Sequence, residues 1–167
     1  TWAVFEARKM LNATWDERNA NKDSWSAFTA FANQQGNVGA EVLHEQGDVD
    51  SALEDPDNTV ISSFYEYPYL THLCLEPMNC TAHYRPGKNG GRDHLEVWLP
   101  TQSGPRFQTL AKQRYGLEKD QLTIHVKRMG GSFGRRTSGE YICEAIELSK
   151  LSGQPVKLTW SREDSMR

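Results

Sequence analysis

After residue 59 the chain exchanges two hydrophobic periods in a fixed rhythm, and this constrains its fold more than any other feature. Stretches with a two-residue apolar repeat give way to stretches with a helical repeat, with turn residues between them. TVISSFYEY (59–67) is β-branched and aromatic and reads as a strand ended by Pro68. CTAHYR (80–85) and HLEVWLP (94–100) read as two more, and the PGKNGG turn between them suggests a hairpin. Within HLEVWLP, Leu95, Val97 and Leu99 share one side, which is expected to meet the core. A helix follows over PRFQTLAKQRYG (105–116), with Pro105 in its first turn, Phe107, Leu110, Ala111 and Tyr115 on one side, and Gly116 as its stop. QLTIHVKRM (121–129) alternates Leu122, Ile124 and Val126 as a strand. A helix over about 138–151 presents Ile142, Ala145, Ile146 and Ser149, and PVKLTWS (155–161) is the last strand. The expected fold class is therefore α+β, a two-layer sandwich. It has a mixed sheet with helices packed on one face and the order β-β-β-α-β-α-β after an N-terminal helical segment.

Residues 1–58 are expected to form that helical and connecting segment, and 59–167 a second domain. Phe5, Met10 and Leu11 lie near one face of an opening helix. SWSAFTAFANQQG (24–36) reads as a second helix, with Asp23 or Ser24 as N-cap and Gly36 as its end. The acidic stretch that follows has room for one short helix. With 37% hydrophobic and 25% charged residues and a net charge of −3, the chain reads as globular. The same values argue against a general nucleic-acid or membrane-surface binder. No apolar run approaches the roughly 20 residues of a membrane span. The chain opens inside a helix-like run without a Met and closes just after a strand, so it is expected to be a piece of a longer protein. Three cysteines, Cys74, Cys80 and Cys143, cannot all pair. Cys80 and His83 have a C-x-x-H spacing with His72 and Cys74 nearby; buried thiols explain this set better than zinc.

The chemistry-bearing stretch is MGGSFGRR (129–136), set between a strand and a helix. Thr137 and Glu140 have the spacing of a capping box, which would place the glycines directly before a helix N-terminus. Successive N–H groups in a glycine-rich turn can form a concave anion nest. Arg135 and Arg136 could add forked hydrogen bonds to phosphate. The stretch matches neither G-x-G-x-x-G nor a P-loop. Read alone, Phe133 is a core side chain and paired arginines are a solvated face. PTQSGP (100–105) also joins a strand to a helix, so the two loops are expected on one rim of the sheet. Gln102 would then lie near Phe133, with two donors and an acceptor on its amide.

The motifs YPYLTHLCLEPMNCTA, EVWLPTQSGP, VKRMGGSFGRR and EAIELSKLSGQPVKLTWSRED occur here in one order. In that order the chain resembles the molybdenum hydroxylases, the xanthine dehydrogenase and aldehyde oxidase family. LEPMNCTA and GGSFGRR look most like the isoquinoline 1-oxidoreductase β-subunit branch. The resemblance covers most of 59–167. It implies a large subunit that holds molybdenum on a pyranopterin, often as a cytosine dinucleotide in bacteria. It implies hydroxylation of a heteroaromatic or aldehyde carbon with oxygen from water, and an iron–sulfur partner subunit that takes the electrons. By the same resemblance Gln102 lies beside the metal's oxo ligand and is the catalytic candidate. Gly130, Gly131, Ser132, Phe133, Gly134, Arg135 and Arg136 form the cofactor loop, Phe133 is nearest, and no side chain here ligates the metal.

Two positions depart from the family pattern. Thr137 stands where xanthine-oxidising members carry a substrate-contacting glutamate, which argues against a purine substrate. Arg135 and Arg136 replace a Gly-Lys pair. Glu76 in LEPMN suits a buried structural carboxylate as well as a catalytic one. The family's general-base glutamate and much of its dinucleotide cradle have no counterpart here. The isolated piece is therefore expected to be inactive and metal-free, with the remainder of the subunit as its partner. The other readings are a non-catalytic nucleotide or anion module using the glycine loop and arginine pair, and a scaffold with an exposed apolar face. Substrate and compartment, bacterial cytoplasm or periplasm, are not legible.

Overall fold

The computed structural model describes residues 2–35 and 41–166. The chain divides into two compact units, Thr1–Ser63 and Phe64–Arg167.

The first unit carries three helices: α1 (Trp2–Lys9), α2 (Trp25–Gln35) and α3 (Val49–Glu54). Ser24 starts α2 by accepting the Ala27 N–H at 3.2 Å, and Asp48 starts α3 by accepting the Ser51 N–H at 3.0 Å. Both are ordinary N-cap bonds that satisfy a helix's orphan donors. Gly36, the expected end of α2, lies outside the described residues.

The second unit is an open four-stranded mixed sheet with helices, an α+β fold. Its elements are β1 (Asn79–Arg85), β2 (His94–Leu99), α4 (Gly104–Tyr115), β3 (Leu122–Val126), α5 (Glu140–Ser152), β4 (Val156–Thr159) and α6 (Arg162–Ser165). The strand order is β3-β2-β1-β4, with β1 antiparallel to both β2 and β4 and β2 parallel to β3. The alternation in β2 sorts as its sequence demands: Leu95, Val97 and Leu99 are buried beside Cys80, Ala82 and Tyr84 of β1. Phe107 and Ala111 of α4, with Tyr141, Ile142, Ala145 and Ile146 of α5, close the same core. Cys74 and Cys80 belong to this core, and all three thiols are free. Among the described residues no three His, Cys, Asp or Glu side chains converge as a metal site, and no helix is long and apolar enough to cross a membrane. Ser149 ties α5 to β1 by accepting the Tyr84 N–H at 2.9 Å. The opposite sheet face is polar: Glu96 bridges Arg85 and His125, and Trp98 stacks on His125 at 4.9 Å.

Three sequence expectations change. Residues 59–67 form no strand, so the order is β-β-α-β-α-β with a closing helix. β-propensity measures fit against a neighbouring strand; Ile61, Phe64, Tyr65 and Tyr67 stand exposed without one. The Thr137–Glu140 capping box does not form. Residues Arg135–Thr137 make a separate 3-10 turn, and the Thr137 hydroxyl turns back to donate to the Gly134 carbonyl at 2.5 Å, leaving Gly139 as N-cap of α5. Finally, α6 was unforeseen, although Ser161 and Asp164 form the reciprocal cap that announces it.

Candidate functional site

Strand directions gather the site. Because β1 runs against its neighbours, the ends of β2, β3 and β4 and the start of β1 share one rim. The loops there are 74–78, 100–103, 127–139 and 160–161, and hydrogen bonds stitch them together. The Trp160 N–H donates to the Met78 carbonyl at 2.9 Å. Arg162 donates to the carbonyls of Cys74 at 2.5 Å and Leu75 at 2.7 Å. The hydroxyl of Thr101 and the N–H of Gln102 both donate to the Arg136 carbonyl, at 3.1 and 3.4 Å.

Gln102 and the glycine loop therefore meet. The Ser132 hydroxyl donates to Gln102 Oε1 and accepts the Arg136 N–H at 3.3 Å. Gln102 is exposed, and among the described residues its Nε2 donates to nothing. The backbone N–H groups of Gly131, Ser132, Phe133 and Gly134 likewise have no hydrogen-bond partner among the described residues. Four consecutive amides without partners are uncommon, because folded chains pair nearly all such groups or leave them to water or a ligand. Gly131 and Gly134 have φ of +99° and +86°, and Phe133, a bulky residue, has φ of +51°. That conformation disfavours a bulky side chain. Phe133 is 72% exposed and so is not the core side chain its type suggests.

Behind the loop sits a clamp that sequence reading left undecided. Glu76 accepts the Gly130 N–H at 2.8 Å and an Asn79 side-chain N–H at 2.9 Å. Its own N–H donates to the Gly130 carbonyl at 3.1 Å. Arg136 donates to the Glu76 carboxylate and carbonyl, both at 2.9 Å, and to the Gly131 carbonyl at 2.9 Å. Burial pushes the Glu76 carboxyl up. The Gly130 N–H, the Asn79 amide and the Arg136 charge outweigh it and hold the group below its ordinary value. The side chain of Arg136 is 0% exposed. It is engaged inside the protein and does not face solvent as a phosphate donor. Arg135 is also engaged: its guanidinium lies 5.5 Å from the Trp160 ring and 3.3 Å from Glu140. The arginine pair braces the loop from behind. Arg135 Nε and Arg136 Nη1 are buried without a partner among the described residues, and the loop's main-chain free donors are the amides of Gly131, Ser132, Phe133 and Gly134. No motif forecasts this clamp, whose partners are 54 to 60 residues apart.

The family model for the molybdopterin cofactor-binding domain matches residues 21–167. The chain belongs to that family. Among its relatives are the isoquinoline 1-oxidoreductase subunit beta of Brevundimonas diminuta, 28% identical over 99% of this chain and 22% of its own length. Rat xanthine dehydrogenase/oxidase is 29% identical over 80% of this chain and 10% of its own length. The membrane-bound aldehyde dehydrogenase [pyrroloquinoline-quinone] of Gluconacetobacter polyoxogenes is 32% identical over 77% and 16%. The chain thus spans less than a quarter of each of these relatives.

Proposed function

We propose that this rim is part of the cofactor site of a molybdenum-dependent oxidoreductase that hydroxylates a heteroaromatic or aldehyde carbon. One observation carries the reading: the unpartnered Gln102 Nε2 adjoins four unpartnered main-chain amides at Gly131, Ser132, Phe133 and Gly134. Such a set fits an oxygen-rich, anionic group, since N–H donors fixed in advance need no rearrangement to receive it. Gly130 adds to the fit, because its lack of a side chain lets the loop lie directly against Glu76. The molybdenum–pyranopterin group, when bound, supplies the two-electron chemistry of hydroxylation with oxygen drawn from water. Gln102 orients an oxygen at the site through its Nε2. Ser132 holds the Gln102 amide in that orientation by donating to Oε1. Phe133 offers an apolar surface that keeps water from the reacting carbon.

The cytosine dinucleotide form, the remainder of the subunit and an iron–sulfur partner subunit belong to this proposal. Thr137 occupies the position at which the resemblance puts a glutamate in xanthine-oxidising members. Its hydroxyl is engaged with Gly134 and its side chain bears no charge, which favours aldehydes or heteroaromatics other than purines. A nucleotide module working through Arg135 and Arg136 fits less well, because both guanidinium groups have internal partners.

The test is Gln102→Ala in the complete subunit, co-expressed with its iron–sulfur partner and assayed on aldehydes and heteroaromatics. Turnover is expected to fall about 100-fold, the usual effect of losing one preorganised donor, with molybdenum content unchanged. A rate within about twofold of the parent would overturn the assignment.

A further inference from the structure

A cavity of about 340 Å³ lies between α4 and the segment that leads into α5. It adjoins the proposed cofactor rim through Thr101 and Ser103, which flank Gln102, and through Thr137, but it shares neither Gln102 nor residues 130–136. Its volume is at the small end of the roughly 300–1,000 Å³ range of ligand clefts. Phe107, Leu110 and Ile142 supply an apolar lining. Arg106 is the only charged residue that lines it. Among the described residues the Arg106 guanidinium has no hydrogen bond or ion pair, and neither has the Gln113 carboxamide. Of the other arginines in the rim loops and α6, Arg135 has Glu140, Arg136 has Glu76 and Arg162 has two carbonyls, while Arg128, which does not line the cavity, is also without a partner among the described residues. A planar cationic fork free at the edge of an apolar cavity matches a carboxylate attached to a flat ring.

We propose that this cavity binds a small aromatic carboxylate. The ring lies against Phe107, Leu110 and Ile142, and its carboxylate pairs with Arg106. Gln113 addresses a polar ring substituent from the same helix. The site has Thr137 in common with the molybdopterin reading but needs neither Gln102 nor the glycine loop, so the two can fail separately.

Calorimetric titration of the chain with benzoate and with its neutral isostere benzamide tests it. Benzoate is expected to bind saturably and at least about tenfold more tightly than benzamide, since the Arg106 pair accounts for the difference. Arg106→Gln, at an exposed position that leaves the fold intact by circular dichroism, is expected to remove that preference while leaving benzamide unaffected. Gln113→Trp, which places an indole at the cavity, is expected to block both ligands. Equal affinity for the two ligands would overturn the proposal. So would no saturation by benzoate below about 20 mM, or an unchanged preference in Arg106→Gln. None of these results bears on Gln102 turnover, which is measured separately.

Discussion

Replacing Arg136 with alanine is expected to lower the stability of the second unit by about 3 kcal/mol or to prevent its folding. The side chain is fully buried and donates to the Glu76 carboxylate, the Glu76 carbonyl and the Gly131 carbonyl. Alanine would take this donor from all three, leaving the carboxylate only the Gly130 N–H and the Asn79 amide, and create a cavity behind the loop. Breaking a buried pair costs about 3–5 kcal/mol, chiefly because an uncompensated charge stays behind. The lower figure applies here because the Glu76 side chain is 34% exposed and can rehydrate in part. Urea unfolding followed by tryptophan fluorescence gives the difference.

The pH dependence of that difference identifies its origin. The folded-state pKa of Glu76 is held below its unfolded value. Its contribution is therefore fully present above the unfolded pKa and is lost as pH falls through the folded one. The gap between parent and Arg136→Ala should narrow on acidification below about pH 4, near the ordinary glutamate value. A gap of the same size at every pH would mean that Arg136 acts only by filling space.

Gly130→Ala is expected to be the second most damaging change, and it acts by sterics. A Cβ at residue 130 would lie 2.5 Å from the Glu76 Cβ and 3.3 Å from the Glu76 nitrogen. Neither atom is the free end of a flexible side chain, so the two loops must separate. Forcing one methyl into such a site costs about 1–3 kcal/mol. Separation also strains the Gly130 N–H bond to Glu76 and the Glu76 N–H bond to Gly130, which hold the amides of residues 131–134 in place. By contrast, Gly90→Ala meets no atom within 4 Å, although its φ of +79° strains any side chain. Thermal melts of the two variants should show the Gly130 change clearly larger. Equal effects would mean that the loop relaxes freely and that the clamp does not fix it.

The helices and most strands were legible because their apolar periods are local. The alternation in 95–99 and the Ile142, Ala145, Ile146 and Ser149 stripe state which side is buried, and the structure buries those side chains. Residues 59–67 misled because a strand needs a partner as well as a pattern, and the segment has none here. Thr137 and Glu140 misled because a capping box can lose to a nearer acceptor, in this case the Gly134 carbonyl. The meeting of Gln102 with the glycine loop could be anticipated from two strand-to-helix junctions in one sheet. The inward turn of Arg136 could not: its sequence neighbours resemble a solvated basic face, and its partner is Glu76, 60 residues away. The left-handed backbone of Phe133 was hidden for the same reason, since only the packing of neighbouring loops imposes it.

Hydrogen exchange across residues 129–137, in the complete subunit with and without its molybdopterin cofactor, tests the central claim most directly. The N–H groups of Gly131, Ser132, Phe133 and Gly134 should exchange at least about tenfold more slowly when the cofactor is bound, because they would then have acceptors for the first time. Identical exchange in the loaded and unloaded states would contradict the account.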